Sequence, residues 1–402
     1  MHEYGTSQFQ FKDSAARHIR EADIPAVINL FKLNYGDAYA IPEFYDEHWV
    51  KRGIYSDHII WLVLEEAGEV VASGACVLDY GDYNDQIGEI GRLVVHPERK
   101  GRGLGRRIVD ALLDATDDTV EFAFGEARTV HPLSQALFEK ADFAAIGFLP
   151  QTYTFGDARE SFVLYARLYG NGQAARCEKL PEVIPEVAPL ARHALRAMGL
   201  PDDLNIQDAC EAYPAESICT VQPMDRRSLA RLVRIEHGRL IEPLLFGGLS
   251  LDQGISHIRR RQALYLMALD EQQRPVGAVG FQVDGPSQLV KGIELVAAED
   301  DLRGHLCSSL LRQAEDELGA QVIEVNVSAY DARLQRSFAS HGFLPVAYAP
   351  AMVFHGTHRL DVIKMLKLNV PYNPGALALT DEAQSVVSIV EKGFTSESGP
   401  QS

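Results

Sequence analysis

From Ala15 onward, the spacing of apolar and polar positions predicts a strand, a helix, a strand hairpin, a strand, a helix, a strand, a helix and closing strands. Arg17-His18-Ile19-Arg20 alternates as a short strand, and Asp23 caps a helix with Pro25 in its first turn and Val27, Leu30 and Phe31 on one face. The apolar runs His58 to Leu64 and Val70 to Leu78 flank the turn-rich Glu65 to Glu69 and read as a hairpin. Ile87 to Val95 is a further strand, running through His96-Pro97 into a glycine-rich segment and a helix with Ile108, Leu112 and Leu113 on its apolar side. A strand at Val120 to Glu126, a helix from Pro132 to Ala145 and runs around Phe148 and from Phe162 to Leu168 complete the unit.

The same order begins again at Ile218. Phe143-Ala-Ala-Ile-Gly-Phe-Leu-Pro150 recurs as Phe338-Ala-Ser-His-Gly-Phe-Leu-Pro345, an offset of 338 − 143 = 195, and Gly103 set against Gly304 gives 304 − 103 = 201. A duplicated unit is the economical explanation. The expected organisation is a loose leader over 1–13, a first domain over 14–169, a connector with one helix over 170–217, a second domain over 218–368, and a partly disordered tail over 369–402. The fold class expected is α/β (α+β), two tandem domains, each a mixed, mostly antiparallel central sheet flanked by helices.

Composition narrows the function classes. The formal charge of −18 argues against general affinity for nucleic acid or acidic lipid, so neither nucleic acid nor membrane is expected as a partner. No apolar run nears the roughly 20 residues of a membrane-spanning helix, and MHEYGTSQFQFKD lacks the basic-then-apolar order of a secretory signal, which makes a cytoplasmic location the expectation. Cys76, Cys177, Cys210, Cys219 and Cys307 are scattered without C-x-x-C spacing, which fits reduced thiols and no metal.

Against this acidity, Arg99-Lys100-Gly101-Arg102-Gly103-Leu104-Gly105-Arg106-Arg107 concentrates positive charge in a glycine-rich turn between a strand and a helix. Such a turn gathers unpaired backbone N–H groups where an anion can approach closely. The spacing is neither G-x-x-x-x-G-K-[ST] nor that of a dinucleotide fold. The block Glu89-Ile-Gly-Arg-Leu-Val-Val-His-Pro-Glu98 with Arg99 to Gly105 resembles the GNAT superfamily of N-acetyltransferases, whose hallmark is a strand, then [QR]-x-x-G-x-[GA], then a helix. The resemblance covers residues 15–168; Lys100 stands at the Gln/Arg position, which keeps the charge but loses the planar fork.

The resemblance implies acetyl-CoA as co-substrate, with the backbone of Leu93, Val94 and Val95 meeting the pantetheine arm and acyl carbonyl. Lys100, Gly101, Arg102, Gly103, Leu104, Gly105 and Arg106 would hold the pyrophosphate. It implies direct acyl transfer in the first domain to an amine, either a small molecule or a peptide, with a homodimer possible. A second, weaker resemblance covers 218–367, where the corresponding Glu299-Asp-Asp-Leu-Arg-Gly-His-Leu306 replaces two glycines by leucine and adds three acids, so poor coenzyme A binding is expected there.

An amine with a pKa near 10.4 must lose a proton before attack. Glu89 and Glu126 are the base candidates: alternation places Glu89 on the face of Gly91, Leu93 and Val95, and Glu126 ends its strand beside the acyl channel. Asp79, Asp82 and Asp85 come next. Many relatives use a helical tyrosine as the acid, but this chain has Phe138 or Phe143 there, and Phe338 in the repeat; either the thiolate leaves without that tyrosine, or Tyr83, Tyr80 or His131 supplies the proton. The alternative reading is a non-catalytic acyl-coenzyme A-binding sensor.

Overall fold

The computed structural model describes residues 15–37, 39, 41–78, 87–156, 158–238 and 243–396. The expected leader and the Asp79 to Asp85 loop, with Tyr80 and Tyr83, lie outside them. The N-terminal half runs β1 (Ala16–His18), α1 (Ile24–Tyr35), α2 (Glu47–Ile54), β2 (Ile59–Glu66), β3 (Glu69–Val77), β4 (Ile87–Val95), α3 (Leu104–Thr116), β5 (Phe122–Arg128), α4 (Leu133–Lys140), β6 (Ala144–Phe155) and β7 (Ala158–Leu168). A connecting stretch holds β8 (Glu182–Val183), α5 (Ala188–Ala197) and β9 (Asn205–Ile206). The C-terminal half runs β10 (Thr220–Pro223), α6 (Leu229–Gly238), α7 (Ile255–Arg260), β11 (Leu264–Leu269), β12 (Pro275–Asp284), β13 (Leu289–Ala297), α8 (Leu302–Arg312), β14 (Val322–Ser328), α9 (Ala332–Ala339), β15 (Leu344–His355), β16 (His358–Leu368) and α10 (Asp381–Ser396).

Among the described residues, fourteen strands form one sheet in the order β1-β2-β3-β4-β5-β7-β6-β15-β16-β14-β13-β12-β11-β10. The strands are antiparallel except for β4 with β5 and β13 with β14. In the N-terminal half, Leu62, Leu64 and Ile90 pack with Ile108 and Leu112 of α3 on one face. Trp61, Val63 and Val94 pack with Val27 and Phe31 of α1 and with Phe44 on the other. This is the period-2 consequence of fully apolar strands covered on both sides.

The halves meet at β6 and β15, where Gly147 pairs with Ala347. A Cβ on Gly147 would lie 2.7 Å from both Ala347 Cα and the Val346 carbonyl, so only glycine permits this approach. Corresponding features of the halves lie 200 residues apart. Phe122 pairs with Leu168 and Val322 with Leu368; the left-handed Gln151 matches Ala351 and Asp142 matches Gly342; the ring pair Phe138–Phe143 matches Phe338–Phe343. The sequence alignment of Phe143 to Pro150 with Phe338 to Pro345 is therefore off by five positions. The repeated Gly-Phe-Leu-Pro letters follow Ile146 in one half and His341 in the other, and they occupy different places in the two folds.

The tail, expected to be partly disordered with the disorder from Glu391 onward, holds α10 as far as Ser396. Ala383, Val386, Val387 and Val390 recur at helical spacing and are buried, seating α10 on β6, β15 and α5. Ala378 N–H donates to the Thr129 carbonyl at 2.8 Å, and Thr380 N–H donates to Gln135 Oε1 at 3.0 Å. Polar composition hid this short apolar stripe. Among the described residues, no helix is long and apolar enough to cross a membrane.

The tight β6–β15 contact predicts that Gly147→Val will destabilise the chain by about 1–3 kcal/mol through overpacking, read as a lower midpoint in urea unfolding. An unchanged midpoint would show that the strands can part without cost.

Candidate functional site

The site begins where β4 leaves β5. The parallel pairing covers only Ile87, Gly88 and Glu89 against Phe122, Ala123 and Phe124, although β4 continues to Val95 and β5 to Arg128. On the other side of β4 the register with β3 shifts between Ser73 and Ala75, and Arg92 adopts a φ of 53°. This bulge bends β4 away from β5. It also changes which way the side chains point. Leu93 and Val95 pack toward α3 while Val94 packs toward α1, so Glu89 does not share a face with Leu93 and Val95 as simple alternation predicts.

The parting leaves backbone groups on an open edge. His96 N–H donates to the Val71 carbonyl of β3, so by alternation the Val95 N–H points the other way, toward β5. The Val95 carbonyl on that edge accepts from Asn34 Nδ2 at 3.0 Å, which ties the end of β4 to α1. An extended chain carrying amides fits such an edge.

At the mouth of the parting, Gly103 (φ 77°) is the N-cap of α3 and has no side-chain cap bond, and Gly101 has φ 79°. Both positions need glycine for conformation, since a Cβ would meet nothing within 4 Å. Lys100, Gly101, Arg102 and Gly103 are exposed, and the first N–H groups of Leu104, Gly105 and Arg106 have no intrahelical acceptor. Glu66 at the end of β2 lies 3.8, 3.3 and 3.5 Å from Arg99, Arg102 and Arg107, and Arg106 pairs with Asp110 at 2.7 Å. The loop thus combines glycine backbone, helix dipole and arginines held in place, the elements of an anion cradle.

On β5, Gly125 faces α4. A Cβ there would sit 2.6 Å from Phe138 Cε1 and 2.9 Å from the Ile90 carbonyl, so Phe138 presses its ring edge against the start of the parting. Glu126 therefore faces the opposite side, as does Arg128, which lies over the rings of Tyr35 and Phe155 and pairs with Glu160. Burial pushes the Glu126 carboxyl up to about 7, helped by the negative charge of Glu89 and opposed by Lys291 and Lys364. The Tyr153 hydroxyl lies 3.5 Å from Glu126 Oε1 and accepts from Lys291 Nζ at 3.0 Å.

Glu89 is ion-paired to Arg92 at 2.5 Å, and its second oxygen is buried without a hydrogen bond among the described residues. His131 sits just before α4, with Nδ1 buried and without a hydrogen bond among the described residues. The two glutamates share one electrostatic neighbourhood with Tyr153 and Lys291, to which His131 does not contribute among the described residues. Burial pushes the Cys76 thiol up to about 12, which suits packing rather than nucleophilic attack. No sequence motif marks Asn34, Tyr153 or Lys291, since Tyr153 and Lys291 meet only because the two halves pack together.

In the C-terminal half the matching places are filled. β13 and β14 pair from Leu289 to Gly292 and then part, but Phe246 N–H donates to the Asn326 carbonyl and Ser328 N–H to the Leu244 carbonyl, both at 2.9 Å. A Cβ on Gly247 would lie 2.5 Å from Ile293 Cβ, so the segment 244–247 runs tight inside this second parting. α8 begins at Leu302, already helical where the loop would be, and the Tyr213 carbonyl lies 2.5 Å from a Cβ placed on Gly304. Buried Arg303 binds the Tyr213 hydroxyl, Asp331 and Asp300.

Residues 24–143 match the model of the acetyltransferase (GNAT) family. Similar solved structures include the ribosomal-protein-alanine N-acetyltransferase of Brucella melitensis, at 21% identity over 38% of this chain and 98% of that one, with a TM-score of 0.33. A mutant spermidine N-acetyltransferase of Vibrio cholerae is 16% identical over 40% of this chain and 96% of that one, with a TM-score of 0.34. The yncA protein of Salmonella typhimurium, solved with its cofactor acetyl-CoA, is 19% identical over 39% of this chain and 93% of that one, with a TM-score of 0.32. No curated protein matches significantly.

The raised Glu126 carboxyl makes the stability of the fold depend on pH. Its folded-state value lies above the roughly 4.3 of an unfolded glutamate, so its contribution is present below about pH 4 and lost as the pH rises through 7. Glu126→Gln should match the wild type near pH 4 and exceed it at pH 8, by on the order of 3 kcal/mol in urea unfolding. Equal stabilities at pH 8 would show that Glu126 is not perturbed by burial.

Proposed function

We infer, from the match of residues 24–143 to the model of the acetyltransferase (GNAT) family, that the chain transfers an acyl group, most simply acetyl, from coenzyme A to an amine, with the chemistry in the N-terminal half. The observation that carries this reading is the open parting of β4 and β5 ending at the glycine cradle of α3. Acetyl-CoA supplies an activated thioester. The edge of Leu93 to Val95 suits the amide-bearing arm, and Lys100 to Arg106 suit the pyrophosphate. Domain limits near 14–169 and 218–368, the second a related unit without coenzyme A, are part of the proposal; they are supported by the 200-residue spacing and by the segments filling the second parting.

Glu126 takes the proton from the acceptor ammonium, since a base that ionises near 7 is half available at neutral pH. Glu89, held by Arg92, lends its negative charge to the same pocket. The Val95 N–H lies on the edge where a developing carbonyl oxyanion would be stabilised. The acceptor is a small-molecule or peptide amine, with neither nucleic acid nor membrane as partner. Any homodimer contact lies away from the β6 edge, which β15 occupies.

The phenyl ring of Phe138, without a hydroxyl at the parting, favours one second reading, a non-catalytic acyl-coenzyme A sensor. Incubation with acetyl-CoA and an amine panel that includes spermidine and alanyl peptides, while following released thiol, separates the two. Turnover on at least one amine is expected, and tight coenzyme A binding without turnover on any would favour the sensor. Gly103→Glu brings a carboxylate and a strained φ to the cradle and should weaken coenzyme A binding by at least about tenfold, the loss of one charge-assisted bond. Unchanged affinity would place the pyrophosphate elsewhere.

A further inference from the structure

Tyr153 and Lys291 belong to different halves of the chain, and they meet beside Glu126. Tyr153 lies on β6, its ring edge-to-face with Phe162 at 5.3 Å; Lys291 lies on β13, with Nζ 3.0 Å from the Tyr153 oxygen and 5.1 Å from the ring centroid. The contact is held by the β6–β7 hairpin, which docks on the C-terminal half. Thr154 N–H donates to Ser287 Oγ at 3.3 Å, and Arg159 donates to Gln321 Oε1 at 2.9 Å and to the Ser287 carbonyl. The hydroxyl can therefore receive a hydrogen bond from the ammonium and donate its own proton toward Glu126 Oε1, 3.5 Å away.

The charged and titratable groups around Glu126 come from five elements. They are Glu89 on β4, Tyr153 on β6, Lys291 on β13, Glu324 on β14 and Lys364 on β16. Glu89 is joined to Arg92, and Lys364 to the buried Glu324 at 2.5 Å, so each of those charges works beside a partner of opposite sign. Lys291 is the cation that acts most strongly on Glu126, and the Tyr153 hydroxyl stands between them. A half-buried carboxylate deprived of hydration favours its neutral form, and a cation with an intervening hydroxyl restores the charged one.

We propose that Lys291, acting through the Tyr153 hydroxyl, is a positioning residue that keeps Glu126 in its proton-accepting form near neutral pH, so that the acyl-transfer centre is a composite of both halves. This rests on Glu126 being the base of the reading above. The C-terminal half then has a catalytic task although its own parting is filled.

The test is the pH dependence of kcat/KM for the intact chain with acetyl-CoA and its best amine, in the wild type, Lys291→Met, Lys291→Arg, Tyr153→Phe and Glu126→Gln. Lys291→Met should move the acidic limb upward by about one pH unit, a roughly tenfold loss below the limb with the alkaline plateau kept. Lys291→Arg should restore the limb, and Tyr153→Phe should move it in the same direction by less. The carboxyl carbon resonance of Glu126, titrated without substrate, should follow the same shift and does not depend on turnover. An unmoved limb and resonance in folded Lys291→Met, or an equal loss at every pH, would overturn the inference while leaving the base assignment intact. Persistence of the limb in Glu126→Gln would overturn the base assignment and the inference with it.

Discussion

The proposed function of this chain depends on two parallel strands that stop pairing. β4 and β5 share hydrogen bonds only as far as Glu89 and Phe124, and the bulge at Arg92 then carries β4 aside. A buried backbone group without a partner is costly, so an open strand edge inside a fold calls for a ligand, water or another segment to pair with it. Asn34 answers for one carbonyl, at Val95, and the rest of the edge leads to the exposed glycines at the start of α3.

The C-terminal half shows what happens when the chain meets the same demand itself. Its parting between β13 and β14 holds residues 244–247, and its helix α8 starts early against the carbonyls of Tyr213 and Pro214. The two halves have the same architecture but different consequences. One parting keeps a usable edge, and the other has become part of the core that supports it through β6, β15 and the Tyr153–Lys291 contact. Gly147 matters for this reason: its missing side chain lets the halves approach closely enough to share side chains across the sheet.

The parts of the site that are local in the chain were legible in the sequence. The glycines and arginines from Arg99 to Arg107 lie together because helix initiation is a short-range event, and the strand before them is apolar throughout. Glu126 was legible as a candidate, but the burial that lifts its carboxyl toward neutrality and the Lys291 charge that opposes this were not, because Tyr153 and Lys291 stand 27 and 165 positions further along. Alternation failed at Arg92 since one residue in a left-handed conformation inverts every later side chain on the strand. The matching words Phe143 to Pro150 and Phe338 to Pro345 are displaced by five positions from places that correspond in the structure, because short words constrain register less than strand pairing does. α10 was missed because its packing rests on five buried residues, Ala383, Val386, Val387, Val390 and Phe394, set in an otherwise polar stretch.

The central claim is that one parting is open to coenzyme A and the other is sealed by the chain. Calorimetric titration of the intact chain with acetyl-CoA measures this directly. The account predicts a single class of site with a stoichiometry of one per chain; a stoichiometry of two, or no saturable binding at all, would contradict it.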